Sequence, residues 1–437
     1  MMDSGKTVKV PQLAWWGDIE AELRFPRNWE VTVCQMHGYQ APKLNPEGFR
    51  KAFANPIGCK PIRDLAKGKK NVVILFDDMS RPTKAAEIVP FILEELAVAG
   101  VEEDKIQFIC ALGTHGPLTA YDFAKKLGED IIGRFNVYNH NIYENCTSIG
   151  TTSRGTPLSL NTEFVNADFK IGIGALLPHI NVGFSGGGKI VLPGIASIET
   201  IAYNHGPVRN RAKETGIESN TGLGRNKDNA QLLDVEEACR MSGLDVKIDA
   251  IVNIKRDTTA LFVGEPIAQY NEGVQLAQKH YFSPRIDRLD VVVANCNAKV
   301  NETVIGTAVA ESLLPDSGGT IVMMTNNPGG EVCHYLRRCF GDNMAGRLWK
   351  APSLSSKVKK FILVMPYKNK VSIDWFAPPE SITWAKDWDE ARAILKVDYP
   401  KGARAAVIPD ATIQFFDVVT ASPYVGKDAA PAGESPA

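Results

Sequence analysis

The chain has 437 residues, 44% of them apolar, with 37 Gly, 26 Pro and 49 basic side chains against 50 acidic ones. That is a globular composition with volume for two or three domains and a cleft between them. A formal net charge of −1 removes any global electrostatic reason to bind nucleic acid or an anionic membrane.

Residues 1–11 lack the apolar core of a secretory signal, and no segment approaches the roughly 20 apolar residues that span a bilayer. The eight cysteines form no CxxC pair and read as reduced thiols of a cytoplasmic protein. Short apolar runs that end in polar or Gly-rich turns and lead into amphipathic segments are the pattern of βα units around a buried parallel sheet. Residues 71–76 (NVVILF) predict a strand, then a polar turn and a helix over 83–99, which Pro90 should kink. Residues 105–112 (KIQFICAL) predict a strand, a Gly-Thr-His turn and a helix opening near Thr119. A strand at 169–173 runs into a long Gly-rich loop, and 197–204 reads as a helix capped by Ser197. The helical stretch 266–280 ends before Pro284. A second set follows: a strand at 290–295 (DVVVAN), a helix near 303–314, and strands at 320–324 and 361–365. Around Cys333, His334 and Cys339 the expectation is a helix with incidental thiols, not a zinc site. The expected class is α/β, two α/β domains with a cofactor cleft between them. The boundaries are 1–282 and 283–425, the last segment able to pack back on the first domain, with a disordered Pro-rich tail at 426–437.

Ligands of open α/β sheets bind outside the carboxyl ends of the strands, so the loops after each strand are where chemistry belongs. The loop Asp77, Asp78, Met79, Ser80, Arg81 is either a helix cap with a surface ion pair or an anion-tolerant corner, since Arg81 and free N–H groups both suit carboxylate or phosphate. His115, between Gly113-Thr114 and Gly116-Pro117, is a structural hydrogen bonder or a functional imidazole. The third loop carries Pro178-His179 and then Phe184-Ser185-Gly186-Gly187-Gly188-Lys189, whose glycines offer backbone N–H groups at close approach. Residues 183–189 fit GxxxxGK, but Ile190 stands where Ser or Thr should hold magnesium, which disfavours an NTPase. Lys189 is better read as a covalent or electrostatic anchor. His205, taken alone, is a helix C-terminal histidine. Taken with the others it is a third imidazole on one cleft, able to bind nickel, copper or zinc only if a cofactor brings the remaining ligands.

The run Asp78-Met-Ser-Arg81-Pro-Thr, the Ala111-Leu-Gly-Thr-His115 turn, Pro178-His179, Phe184 to Lys189, Pro193-Gly194-Ile-Ala and His205 resemble, in order and spacing, the nickel-dependent lactate racemase family. Gly224-Arg-Asn226 extends the likeness toward residue 240. The resemblance implies a nickel-pincer nucleotide, a pyridinium-3,5-bisthiocarboxylic acid mononucleotide nickel complex, tethered to Lys189 with His205 as the metal's protein ligand. It also implies His115 and His179 as the acid/base pair, and cofactor contacts from Asp78, Ser80, Arg81, Ser185, Gly187, Gly188 and Trp349. Arg81 would hold the substrate carboxylate. Partners would be a small 2-hydroxy acid and the enzymes that make the cofactor. Counting from Asn295, Val304, Ile305 and Ala308 stand where lactate-active relatives carry Tyr, Gln and Lys, and Gly116 stands where many have Arg. That predicts a roomier, more apolar pocket and a 2-hydroxy acid other than lactate. The expected activity is therefore an isomerase, a racemase or epimerase. The rivals are a catalytically silent cofactor carrier and a Ser/Lys acyl-transfer enzyme using Ser185 with Lys189.

Overall fold

The computed structural model describes residues 5–209, 220–337, 353–369 and 373–417. Trp349, Cys339 and the tail at 426–437 lie outside them.

The chain opens with an antiparallel hairpin, β1 (Thr7–Gln12) and β2 (Ile19–Arg24), followed by β3 (Glu30–Val33). Next come β4 (Val72–Phe76), β5 (Ile106–Cys110), β6 (Asn136–Asn139), the hairpin β7 (Cys146–Thr151) and β8 (Pro157–Asn161), and β9 (Phe169–Ala175). A two-residue hairpin, β10 (Pro178–His179) and β11 (Gly183–Phe184), precedes β12 (Val246–Val252) and β13 (Thr258–Gly264). The last five are β14 (Val291–Cys296), β15 (Gly319–Thr325), β16 (Val358–Val364), β17 (Ile382–Ala385) and β18 (Arg404–Ile408). They assemble into two six-stranded sheets, ordered β13-β12-β9-β4-β5-β6 and β17-β16-β15-β14-β18-β3. The second sheet is parallel throughout, and in the first only β13 runs antiparallel.

Every residue of β4 and of β14 is buried, as central strands covered on both faces require. Alternation divides each between two cores. Val72, Ile74 and Phe76 face one side of the first sheet and Val73 and Leu75 the other. In the second sheet Val291 and Val293 oppose Val292 and Ala294.

Three expectations are corrected. Residues 7–33 do not belong with the first sheet: β3 pairs in parallel with β18, and Val8, Val10, Leu23, Phe25, Trp29 and Val31 pack in a core of the second. Pro90 does not kink a long helix, because residues 85–87 form a separate 3-10 turn and Pro90 falls in the first turn of the helix Val89–Val98, where its missing N–H costs nothing. Residues 333–337 are not helical. Their backbone groups bond instead to a distant loop, Gly116 N–H donating to Cys333 O (2.9 Å) and Tyr335 N–H to Thr114 O (2.8 Å).

The chain crosses between the two sheet units near residues 34–45 and again near 281–290. The two crossings touch, with His37 N–H donating to Phe282 O (3.0 Å) and Gly38 N–H to His280 O (2.7 Å). Ser283 is fully buried there and donates its N–H to Phe415 O (2.9 Å). Loops at the carboxyl ends of β4, β5 and β9 in one unit and of β14, β15 and β16 in the other line a common cleft. Among the described residues no helix is long and apolar enough to cross a membrane.

Candidate active site

The loop after β4 is held from beneath. Lys126, fully buried on the capped helix Ala120–Leu127, donates Nζ to Asp77 Oδ1 (2.6 Å), to Arg81 O (3.1 Å) and to Thr83 O (2.9 Å). Thr83 Oγ1 donates to the other Asp77 oxygen (2.5 Å). Asp77 is thus consumed in holding the loop, which leaves Asp78 and Arg81 to the cleft. Asp78 is buried and the Arg81 side chain is 14% exposed, so the surface ion-pair reading of this loop does not hold. Asp78 Oδ1 accepts from the Ser80 N–H (2.9 Å) and from the Ser80 hydroxyl.

Asp78 Oδ2 lies 2.5 Å from His115 Nδ1, and on the far side of the ring His115 Nε2 stands 3.3 Å from Glu302 Oε1. Burial alone would discourage charge on this imidazole, but carboxylates at both nitrogens outweigh it and raise the His115 pKa to about 9. Asp78 is held below the ordinary carboxylate value: burial works against its charge, and His115 and Arg81 more than compensate. Arg81 donates Nη1 to Glu302 Oε2 (2.5 Å) and to Ser80 Oγ (2.7 Å).

The β10–β11 hairpin carries His179, whose Nδ1 accepts from the Asn181 N–H (3.1 Å). Burial first, then Lys189, Lys299 and Arg81 nearby, push its pKa well below the ordinary histidine value. His115 is therefore charged and His179 uncharged at neutral pH, and both line the cleft. In the glycine run, Gly186 (φ 92°) leaves no room for a Cβ, which would sit 2.7 Å from Leu176 and 3.0 Å from Asp249. Gly187 and Gly188 face packing partners, not the cleft: a Cβ on Gly187 would strike the Tyr270 ring at 2.8 Å and one on Gly188 would strike Cys239 at 2.8 Å. The run is braced by Asp249, which accepts from the Gly187 N–H (2.7 Å) and is paired with the fully buried Lys247 (2.5 Å). Ser185 donates its hydroxyl to Ala175 O (2.8 Å) and accepts from the Leu177 N–H (3.2 Å), so it serves the backbone.

The Lys189 amine makes no hydrogen bond or ion pair among the described residues, and it lines the cleft. Burial, with Arg81 nearby, lowers its pKa to about 7, which leaves a substantial uncharged, nucleophilic fraction at neutral pH. His205 follows the helix Ile198–Tyr203, capped by Ser197, within a π turn over Asn204–Val208. Its Nδ1 lies 3.2 Å from Ile201 O. A carbonyl only accepts, so Nδ1 carries the proton and Nε2 keeps its lone pair, the state a metal ligand needs. Burial and the cations around it keep this ring uncharged. Among the described residues no group of three or more His, Cys, Asp or Glu side chains could hold a metal, so a metal on His205 would need ligands from a cofactor.

The opposite wall comes from the second sheet. Val304 and Ile305 line the cleft as expected for contact positions, while Ala308 is buried in the core behind them. A Cβ on Gly116 would meet Cys333 Cβ at 3.3 Å, so the backbone of the second unit abuts that position. The predicted apolar wall is corrected: Asn301, Glu302, Glu331, His334 and Arg337 stand in it too. His334 packs edge-on against His115 with centroids 5.3 Å apart. Lys299, fully buried, donates Nζ to Pro178 O across the cleft (2.8 Å). Trp375 stands in the lining, and Trp349 lies outside the described residues. Sequence reasoning missed Lys299, Glu302 and His334. The signal available for the first two was their place directly after a strand, the same rule that found the first wall.

Comparison with known proteins agrees with this geometry. The family model of the lactate racemase N-terminal domain matches residues 16–216. The lactate racemase of Thermoanaerobacterium thermosaccharolyticum is 27% identical over 389 residues, covering 83% of this chain and 88% of that protein. The lactate racemase of Lactiplantibacillus plantarum is also 27% identical, over 401 residues, 86% of this chain and 92% of that one. In structure, the T. thermosaccharolyticum lactate racemase apoprotein aligns with a TM-score of 0.69 at 22% identity, over 94% of this chain and all of that one. A Thermotoga maritima protein aligns with a TM-score of 0.56 at 17% identity, over 82% of this chain and 97% of its own. With the ordered motifs and the two-sheet cleft, these matches make the chain similar to the lactate racemases over most of its length, with the family's N-terminal domain model matched at residues 16–216.

Proposed function

We propose that this protein is a 2-hydroxy acid racemase or epimerase that works with a nickel-pincer nucleotide tethered to Lys189. The observation that carries this reading is one cleft that holds His115 between two carboxylates and His179 opposite it among cations, beside a Lys189 amine unpaired among the described residues and a His205 ring whose Nδ1 faces the Ile201 carbonyl. Two titratable groups whose surroundings drive their pKa values apart are the arrangement of an acid and a base. The residues present fit the cofactor: Lys189 would carry it, and His205 Nε2 would complete the metal's coordination. When bound, such a group supplies a hydride acceptor for the hydrogen on C2.

The chain's own part is the proton on the C2 hydroxyl. His179, uncharged, takes that proton at Nδ1, the ring's one lone pair in this tautomer, which must exchange the Asn181 N–H for the substrate hydroxyl to do so, while the C2 hydrogen leaves as hydride to that acceptor, giving a 2-keto acid held at Arg81. His115, charged at neutral pH, returns a proton to the carbonyl oxygen when hydrogen comes back to the other face. Asp78 keeps that imidazole charged and aimed. A Ser/Lys acyl-transfer reading finds no support, because the Ser185 hydroxyl is committed to the Ala175 carbonyl.

The test is intact-mass and nickel analysis of the wild type beside Lys189→Ala, both coexpressed with the cofactor-synthesis enzymes. A nickel-bearing adduct only where Lys189 is present supports the reading. Absence of adduct and nickel, while a lactate racemase loaded in parallel acquires both, defeats it.

A further inference from the structure

The second wall presents hydrogen-bonding groups that the protein leaves without partners. Asn301 lines the cleft, and its side-chain oxygen is buried with no hydrogen-bond partner among the described residues. Asn181, on the opposite hairpin and 7% exposed, also lines the cleft and is in the same condition. Next to Asn301 stands Glu302, one oxygen on Arg81 at 2.5 Å and the other at a long 3.3 Å from His115 Nε2. An ionised carboxylate has about four acceptor sites, so Glu302 has capacity left for a donor in the cleft.

These groups are fixed in place. The Glu302 N–H donates to Lys299 O (3.1 Å), the Thr303 N–H to Glu331 Oε2 (2.9 Å), and the Val332 N–H to Asn301 O (2.8 Å). Lys299 pins the start of the segment to the first unit through Pro178. A substrate anchored on Arg81, which bonds Glu302 directly, therefore lies beside acceptors carried on a fixed backbone. An alkyl chain would leave them buried and unpaired, which is unfavourable. A second carboxylate would face the charge of Glu302. A hydroxyl satisfies both, and because it gives and accepts, it fits Asn301 whichever way the amide is oriented.

Resting on the isomerase reading above, we infer that the substrate is a polyhydroxy monocarboxylic acid, a 2-hydroxy acid with further hydroxyls at C3 and beyond, and that Asn301 and Glu302 select it. The experiment has two arms. On the cofactor-loaded enzyme, kcat/KM for inversion at C2 is measured for lactate, 2-hydroxybutanoate, malate, glycerate and 2,3,4-trihydroxybutanoate. On the apoprotein, ligand-observed NMR ranks the binding of the same acids. The expected order is trihydroxybutanoate, then glycerate, then the alkyl acids and malate, with roughly three- to tenfold per added hydroxyl. In Asn301→Leu the ratio of glycerate to lactate should fall toward one. Lactate, 2-hydroxybutanoate or malate as the best substrate overturns the substrate class and leaves the isomerase reading standing. If no acid is inverted yet the apoprotein keeps the polyhydroxy preference, and Asn301→Leu erases it, the class stands and the isomerase reading falls. A wild-type panel with no preference in either arm overturns the inference without reference to the variant.

Discussion

The loops of the first wall are supported from their own side. Lys126 lies beneath Asp77, and Lys247 and Asp249 lie beneath the glycine run, all within the unit that contributes His115, His179 and Lys189. On the second wall the polar groups reach across the cleft: Glu302 to Arg81 and His115, Lys299 to Pro178, and the uncharged His334 ring to Thr114 and His115. The backbone support of the acid/base loops thus lies within one unit, whereas the electrostatics of His115 and His179, like the selectivity surface, also draw on Glu302 and Lys299 of the other. Buried charges explain the asymmetry, because each must be paired where it lies.

If the first wall carries the chemistry, His115→Ala and His179→Ala in the loaded enzyme each lower kcat by about 10²- to 10⁴-fold while nickel content is retained. Turnover at wild-type rate would remove that histidine from the mechanism. Lys126→Met leaves Asp77 buried without its cation and should cost about 3–5 kcal/mol of stability, read by denaturant unfolding. A loss under 1 kcal/mol would show that the loop does not depend on that prop.

Asp78→Asn should bring the His115 pKa from about 9 down toward 6.5, followed by imidazole NMR. The sign is definite. A histidine raised in the folded state contributes stability that is full below about 6.5 and is lost as pH rises through about 9, so the wild type weakens across that window and Asp78→Asn weakens less. Amine-directed acylation of Lys189 should rise with a midpoint near pH 7, against the ordinary lysine value near 10.4 for exposed lysines. A midpoint near 10 would mean that the amine is better solvated than its burial implies. On the second wall, Val304→Ala should move KM more than kcat, by about 1 kcal/mol or less. An equal fall in kcat would erase the division between the walls.

What could be read in the sequence follows the same asymmetry. Asp78, Arg81, His115, His179 and Lys189 sit in loops that follow strongly apolar strands, so position after a strand marks them even though partners such as Asp78 for His115 and Glu302 for Arg81 are distant in the chain. The strands 71–76 and 290–295 were visible because both of their faces are buried. β3 was not, since its four residues (EVTV) alternate exposure and acquire a partner only at Arg404–Ile408. Residues 333–337 look helical by spacing, yet their backbone bonds go to 114–116, a choice that no local pattern records. The place of Glu302 after a strand marks it as a candidate, but its pairing with Arg81 and His115, both far off in the chain, leaves no local trace.

Because β3 lies in the second sheet while the residues after it return to the first, the backbone passes between the units twice, side by side, joined at His37–Phe282 and Gly38–His280. A single covalent link would behave as a ball joint, letting one unit swivel over the other. Two adjacent links act as a pair of hinge pins, and the motion they leave is the swing of a door about one axis. With the door as it stands, Glu302 lies on Arg81 and Asn301 lines the same wall, so the geometry of selection follows from how the two pins set one unit against the other.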